Sequence, residues 1–212
     1  MGRGALEGAL CGGAGALMDV ALIETILWDG ACCPRLAGHE ARLARSAAQL
    51  GFPYVPGALQ SALPRPEGPA RLRATLGADG ALSVTEAPLP PAAAQWRLGL
   101  ADQRLWSGDP WLRVKSTRRA LYDAARAALP GGVDELIFLN ERGEVCEGTI
   151  TNIFFDRGQG LRTPPLACGV LPGVLRAELA CQEEMLWPQD LPRVQLWVGN
   201  ALRGLIPAVW VG

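Results

Sequence analysis

Residues 134–155, DELIFLNERGEVCEGTITNIFF, constrain this chain more than any other stretch. Leu136, Ile137, Phe138 and Leu139 make a short apolar run, and residues 150–155 make a second, β-branched and aromatic one. Asn140, Glu141, Arg142 and Gly143 supply turn chemistry between them, with Gly143 free to take a positive φ. The pattern predicts two strands joined by a tight turn. Glu147 sits in the second half, followed by Gly148 and the polar Thr149, Thr151 and Asn152. A carboxylate beside a buried strand is costly unless something satisfies it. For a lone glutamate a solvated turn is the commoner outcome; the alternative is that Glu147 faces a cationic ring nitrogen.

Glycine and proline are plentiful, 26 and 17 in 212 residues, so the connections are many and defined. That length suits one large domain or two small ones. The formal net charge of -1 gives no electrostatic case for a nucleic-acid partner or an anionic membrane. No run approaches a membrane span. Residues 1–16, broken by Arg3, Glu7 and many glycines, lack the continuous apolar segment of a signal peptide and read as a partly flexible lead-in. A cytoplasmic location and reduced thiols are therefore expected for the six cysteines, none of which forms a C-x-x-C pair. The single histidine, His39, argues against a histidine-based zinc site, and no metal is expected. Acid–base chemistry would then fall to lysine or carboxylate.

Taken in order, residues 17–28 read as a strand with Glu24 and Thr25 inside it. Residues 39–50 have helical spacing, ended by Gly51. Residues 71–85 form a hairpin about Asp79-Gly80, and 94–101 make one more strand. This gives a small N-terminal α+β domain over 1–105, a connector at 106–113, and a C-terminal domain over 114–212. In the latter, helices are expected at 116–129 and 174–185, a strand at 193–198, and a short helical or turn segment at 202–205.

Lys115 lies between the apolar run before it and the basic Arg118 and Arg119. Partial desolvation and nearby positive charge both favour the neutral amine, the form that attacks a carbonyl. A surface lysine ahead of a helix is the plain alternative. Lys115 is, however, the only lysine in the chain, and Schiff-base formation is a task arginine cannot perform. Two turn-to-helix junctions, at 172–175 and 199–202, could offer backbone N–H groups to a phosphate. Arg42 could add a fixed positive charge, or could be an ordinary exposed helix arginine.

In this order, HEARLARSA, VKSTRRALYDAAR, ELIFLNERGEVCEGTITNIFF, GVLPGVLRAEL and VGNALRGLIPA resemble the class IV pyridoxal-phosphate aminotransferases. Similarity is nearest to their 4-amino-4-deoxychorismate lyase branch, and it runs from about Leu22 to Pro207. The resemblance implies a fold-type IV architecture: two α/β (α+β) domains with pyridoxal 5'-phosphate in the cleft between them, usually in a homodimer. It implies that Lys115 binds the cofactor covalently and that Glu147 pairs with the pyridine nitrogen. Arg42, in the H-x-x-R-L pattern begun by His39, matches the phosphate-binding arginine. Val174 and Leu175 match the amides of the phosphate cup, and Asn200 with Ala201 its second edge. Asn152 matches a residue supporting the cofactor loop, and Thr25 a threonine that helps proton transfer. Leu175 and Val114 depart from the family, where a hydroxyl side chain and a histidine are common; the link between Ala180 and Arg193 is short. The implied activity is pyruvate elimination from the small amino substrate aminodeoxychorismate, giving 4-aminobenzoate for folate. Transamination of branched-chain or D-amino acids with 2-oxoglutarate, or cofactor binding without turnover, remain as alternatives.

Overall fold

The computed structural model describes residues 19–212; the expected lead-in at 1–16 lies outside them. The chain divides into two compact units, one reaching to Pro91 and including Val114–Arg118, the other formed by Ala92–Arg113 and Arg119–Gly212.

In the first unit, β1 (Leu22–Trp28) is followed by α1 (Leu36–Leu50) and α2 (Ala58–Ala62), then by β2 (Ala70–Leu76) and β3 (Leu82–Pro88). The three strands form one antiparallel sheet in the order β1-β2-β3. Strand β2 alternates cleanly: Ala70, Leu72, Ala74 and Leu76 are buried while Arg71 and Arg73 face out. The β2–β3 turn falls where Asp79-Gly80 predicts it, with Gly80 at φ +82° and Asp79 Oδ1 accepting the Ala81 N–H. Helix α1 buries His39, Arg42, Leu43, Ser46, Ala47 and Leu50, a single 3.6-residue stripe that holds polar groups as well as apolar ones. It starts three residues before the expected His39, and Gly51 at φ +73° ends it.

In the second unit come β4 (Trp96–Leu105), α3 (Ala120–Ala127), β5 (Glu135–Asn140), β6 (Val145–Gly148), β7 (Asn152–Asp156) and β8 (Arg162–Thr163). Then follow α4 (Val174–Leu179), β9 (Gln182–Glu183), β10 (Gln195–Asn200) and β11 (Gly204–Trp210). Because β10 pairs with both β11 and β7, strands β4, β5, β6, β7, β10 and β11 close into a ring, and β8 with β9 branch from β7. Closure removes the free sheet edges that would invite further pairing. Strand β5 is buried on both faces. Ile137 and Leu139 join Val145, Ile153, Phe155, Leu196 and Val198 in one core. Leu136 and Phe138 join Leu105, Cys146, Cys168 and Val170 in another. Full burial of Phe138, Phe154 and Phe155 contributes about 1.5–3 kcal/mol each.

Several expectations are corrected. The division falls after Pro91 rather than near Leu105, because β4 pairs in parallel with β5 and β11. Parallel pairing of β4 with β5 requires a long crossover, and residues 114–118 are the part of that crossover that belongs to the first unit. There the Ile23 N–H donates to the Lys115 carbonyl at 2.9 Å and the Thr117 N–H to the Ala21 carbonyl at 2.8 Å. These backbone groups are committed to a ladder, so the helix expected at 116–129 begins only at Ala120. The expected two-strand hairpin at 134–155 is a three-strand meander, with Glu147 on a strand of its own. The helix expected at 174–185 stops at Leu179, where Ala180 turns left-handed at φ +47° and the chain enters β9. The segment at 202–205 is a hairpin turn into β11 with Gly204 at φ +71°, not a helix.

Candidate active site

In the first unit, Glu24 on β1 lies buried against α1. Its carboxylate takes Arg42 Nε on Oε1 at 2.8 Å and Arg42 Nη2 on Oε2 at 2.5 Å; His39 Nδ1 reaches the same Oε2 at 2.6 Å. All three side chains are within a few per cent of complete burial. Burial alone would raise the Glu24 pKa, but the Arg42 charge and the hydrogen bonds from Arg42 and His39 outweigh it and hold it at about 2. Arg42 is thus not an exposed helix arginine. Its Nη1 is the guanidinium nitrogen outside the bidentate pair. His39 Nε2 is buried with no hydrogen-bond partner. The signal for this cluster was legible: a carboxylate within an apolar strand demands a cation, and Glu24 was not assigned one.

Thr25, half-buried, alternates to the opposite face of β1 from Glu24, so it stands apart from the Arg42 cluster. Lys115 is half-buried, and its backbone is fixed against β1 at Ile23.

In the second unit, Glu147 is buried on β6. Its Oε1 accepts the Tyr122 hydroxyl at 2.8 Å; Oε2 accepts the Leu171 N–H at 3.0 Å and Asn152 Nδ2 at 3.3 Å. Asn152 also donates to the Leu171 carbonyl at 3.0 Å, tying Glu147 to the turn before α4. A Cβ at Gly173 would lie 1.9 Å from Asn152 Oδ1, so only glycine fits there. Asn152 pairs across the ladder with Gly199, and a Cβ on Gly199 would meet Leu175 Cδ2 at 2.8 Å. Asn152, Val174, Leu175 and the end of β10 therefore converge. Val174 and Leu175 do open a helix, as expected. Asn200 and Ala201 do not: Asn200 Oδ1 accepts the Leu202 and Arg203 N–H groups at 3.1 and 3.0 Å, and its Nδ2 donates to the Ile150 carbonyl at 3.1 Å.

Sequence reasoning missed Glu135 and Tyr122. Glu135 is fully buried, and its carboxylate accepts the Thr149 and Ile150 N–H groups and the Thr149 and Thr151 hydroxyls, with Arg126 Nη1 at 3.3 Å. It pins the turn joining Glu147 to Asn152. The row of hydroxyls at 149 and 151, next to an acid at the head of an apolar strand, was the available signal. A Cβ at Gly148 would strike Thr151 Oγ1 and Glu135. Cys146 and Cys168 are packed in the core, where burial pushes both thiols up, Cys168 to about 12. Among the described residues no group of His, Cys, Asp and Glu could hold a metal ion, and no helix is long and apolar enough to cross a membrane.

A family model described as amino-transferase class IV matches residues 21–210. The chain belongs to the class IV aminotransferases. These are pyridoxal-phosphate-dependent enzymes, and the fold of this class IV aminotransferase is fold-type IV. A Schizosaccharomyces pombe protein named "Putative aminodeoxychorismate lyase" is 30% identical over 168 residues, 74% of this chain and 72% of that protein. The crystal structure of a "Putative amino-acid aminotransferase" from Mesorhizobium loti is 45% identical with a TM-score of 0.85, covering 91% of this chain and 100% of that one. A 4-amino-4-deoxychorismate lyase from Pseudomonas aeruginosa is 22% identical with a TM-score of 0.75 over 90% of this chain and 82% of that one, which shows the shared fold.

The residues present fit the cofactor chemically. A buried carboxylate whose two oxygens accept hydrogen bonds from Tyr122, Leu171 and Asn152 suits a protonated ring nitrogen, and a buried guanidinium beside an orphaned imidazole nitrogen suits an anion.

Proposed function

We propose that this chain is a lyase that converts 4-amino-4-deoxychorismate to 4-aminobenzoate and pyruvate, supplying folate synthesis from the cytoplasm as a homodimer. The observation that carries the cofactor half of this reading is the Glu147 carboxylate, buried and held by Tyr122, Leu171 and Asn152. The reaction half is supported by the lyase name of the S. pombe relative.

In this reading Glu147 holds the proton on the pyridine nitrogen, and Asn152 keeps Glu147 and the turn before α4 in register. Arg42, the amides of Val174 and Leu175, and Asn200 with Ala201 hold the phosphate. Pyridoxal phosphate, when bound, supplies an electron sink for charge left on the substrate carbon. Lys115 Nζ takes the proton from the amine-bearing ring carbon, with Thr25 assisting. The released electron pair expels the enolpyruvyl oxygen from the neighbouring carbon, and the ring becomes aromatic. The departing enolate takes up a proton at its methylene carbon and leaves as pyruvate. Anchoring at the phosphate fixes orientation, which is where much of the rate originates.

A transaminase reading is favoured by a different observation, the 45% identity to the M. loti protein. Both readings use the same cofactor residues. Incubation with aminodeoxychorismate, scored for 4-aminobenzoate and pyruvate, tests the lyase. No such products, with glutamate formed from 2-oxoglutarate and a branched-chain or D-amino acid, would replace it by the transaminase.

A further inference from the structure

Helix α3 turns one face to the meander that carries Glu147. Arg119, just before the helix, donates through Nη2 to the Thr149 carbonyl at 2.9 Å; Arg126 donates through Nη1 to the Asp134 carbonyl at 2.9 Å. Tyr122 lies between them at i+3 and i−4, the spacing that puts all three side chains on one side. Its ring meets the fully buried Phe138 edge-on, with centroids 5.0 Å apart and planes at 64°. The Arg119 guanidinium lies over it at 5.8 Å. The ring is therefore held from two sides, and its hydroxyl is aimed at Glu147 Oε1, 2.8 Å away.

An ionised carboxylate only accepts hydrogen bonds, so the phenol is the donor. Burial and the neighbouring Glu147 charge push the phenol well above its ordinary range, so the donor persists through the whole working pH range. A hydrogen bond to the charged form of an acid favours that form. The consequence concerns a proton shared between a carboxylate and a ring nitrogen: the weaker base of the two yields it.

We propose that Tyr122 is a positioning residue for Glu147, aiming one carboxylate oxygen and drawing charge from it so that a shared proton stays on the pyridine nitrogen. This rests on the reading that Glu147 faces that nitrogen. Tyr122 thereby sets the electron-withdrawing strength of the bound ring without touching substrate.

The test uses the full chain loaded with pyridoxal 5'-phosphate labelled with nitrogen-15 in the ring. The readouts are the ring-nitrogen chemical shift and the pH titration of the visible band of the lysine-bound cofactor. Tyr122→Phe keeps the ring against Phe138 and removes only the donor. The expected result is a nitrogen signal moved toward neutral pyridine and a band titration raised by roughly one unit, the size expected for a hydrogen bond to a charged group. The chain has two tyrosines, so 3-fluorotyrosine in a Tyr54→Phe background alters Tyr122 alone. Its more acidic phenol should move both signals the opposite way. Unchanged signals in folded Tyr122→Phe, or in the fluorotyrosine protein should Tyr122→Phe fail to fold, overturn the proposal. A wild-type protein that binds the cofactor with an unprotonated ring nitrogen overturns instead the assignment of Glu147.

Discussion

Glu24 and Arg42 meet as a bidentate ion pair, Nε to Oε1 at 2.8 Å and Nη2 to Oε2 at 2.5 Å, both nearly inaccessible to solvent. A buried pair of this kind is harmful to break from one side, because the surviving charge is stranded. Glu24→Ala is expected to cost about 3–5 kcal/mol in urea-unfolding measurements. The double variant Glu24→Ala/Arg42→Leu should recover part of that loss, since it strands nothing.

Acid sensitivity follows from the same pair. The folded Glu24 pKa, about 2, lies below the ordinary value of 4.5, so its contribution is complete above that value and disappears as pH falls through about 2. Glu144 in the second unit behaves alike: the Arg142 hydrogen bond, with help from Asn140, outweighs burial and holds it at about 2. Stability should therefore fall steadily between pH 4.5 and 2, read as declining urea midpoints, and Glu24→Gln should flatten the part of that slope belonging to the first unit.

Gly173 is a packing test of the turn before α4. A Cβ there would sit 1.9 Å from Asn152 Oδ1, and Asn152 is itself tied to Glu147 and Leu171. Gly173→Ala is expected to cost about 1–3 kcal/mol by overpacking and to weaken pyridoxal phosphate binding severalfold, measured by equilibrium dialysis. Unchanged binding would separate this turn from the cofactor.

Glu135 makes a sharper prediction about the turn at 148–151. Its oxygens accept N–H and O–H groups from Thr149, Ile150 and Thr151. Glu135→Gln sets an amide donor against those donors. The expected cost is about 3 kcal/mol or more, as for other buried polar groups left mismatched, with amide exchange at 147–152 speeding up first.

The sequence marks some of this well. The strand at β1, the Asp79-Gly80 hairpin, the helical spacing of α1 and the apolar runs of β5 and β7 carry local signals strong enough to survive folding, whereas the burial of Arg42 beside Leu43 on α1 does not show in that spacing. The boundary near Leu105 failed because β4 is claimed by non-local parallel pairing, which leaves no trace in its own residues. The helix at 116–129 lost its first turn because residues 115 and 117 are hydrogen-bonded to Ile23 of β1 and to Ala21 just before it, a preference no helix propensity encodes. Glu147 stood out because an acid beside apolar strands is conspicuous. Tyr122 did not, because a tyrosine on an amphipathic helix usually means packing, and only the fold brings its hydroxyl to Oε1.

The central claim is that Lys115 carries the cofactor. The purified chain should show a visible band that bleaches with borohydride, leaving one reduced pyridoxyl group. Peptide mapping of that product is the direct measurement: the mass addition is expected on the peptide containing Lys115, the chain's single lysine, and Lys115→Ala should remove both band and label. A label at the N-terminal amine, or a band that persists in Lys115→Ala, would contradict the account.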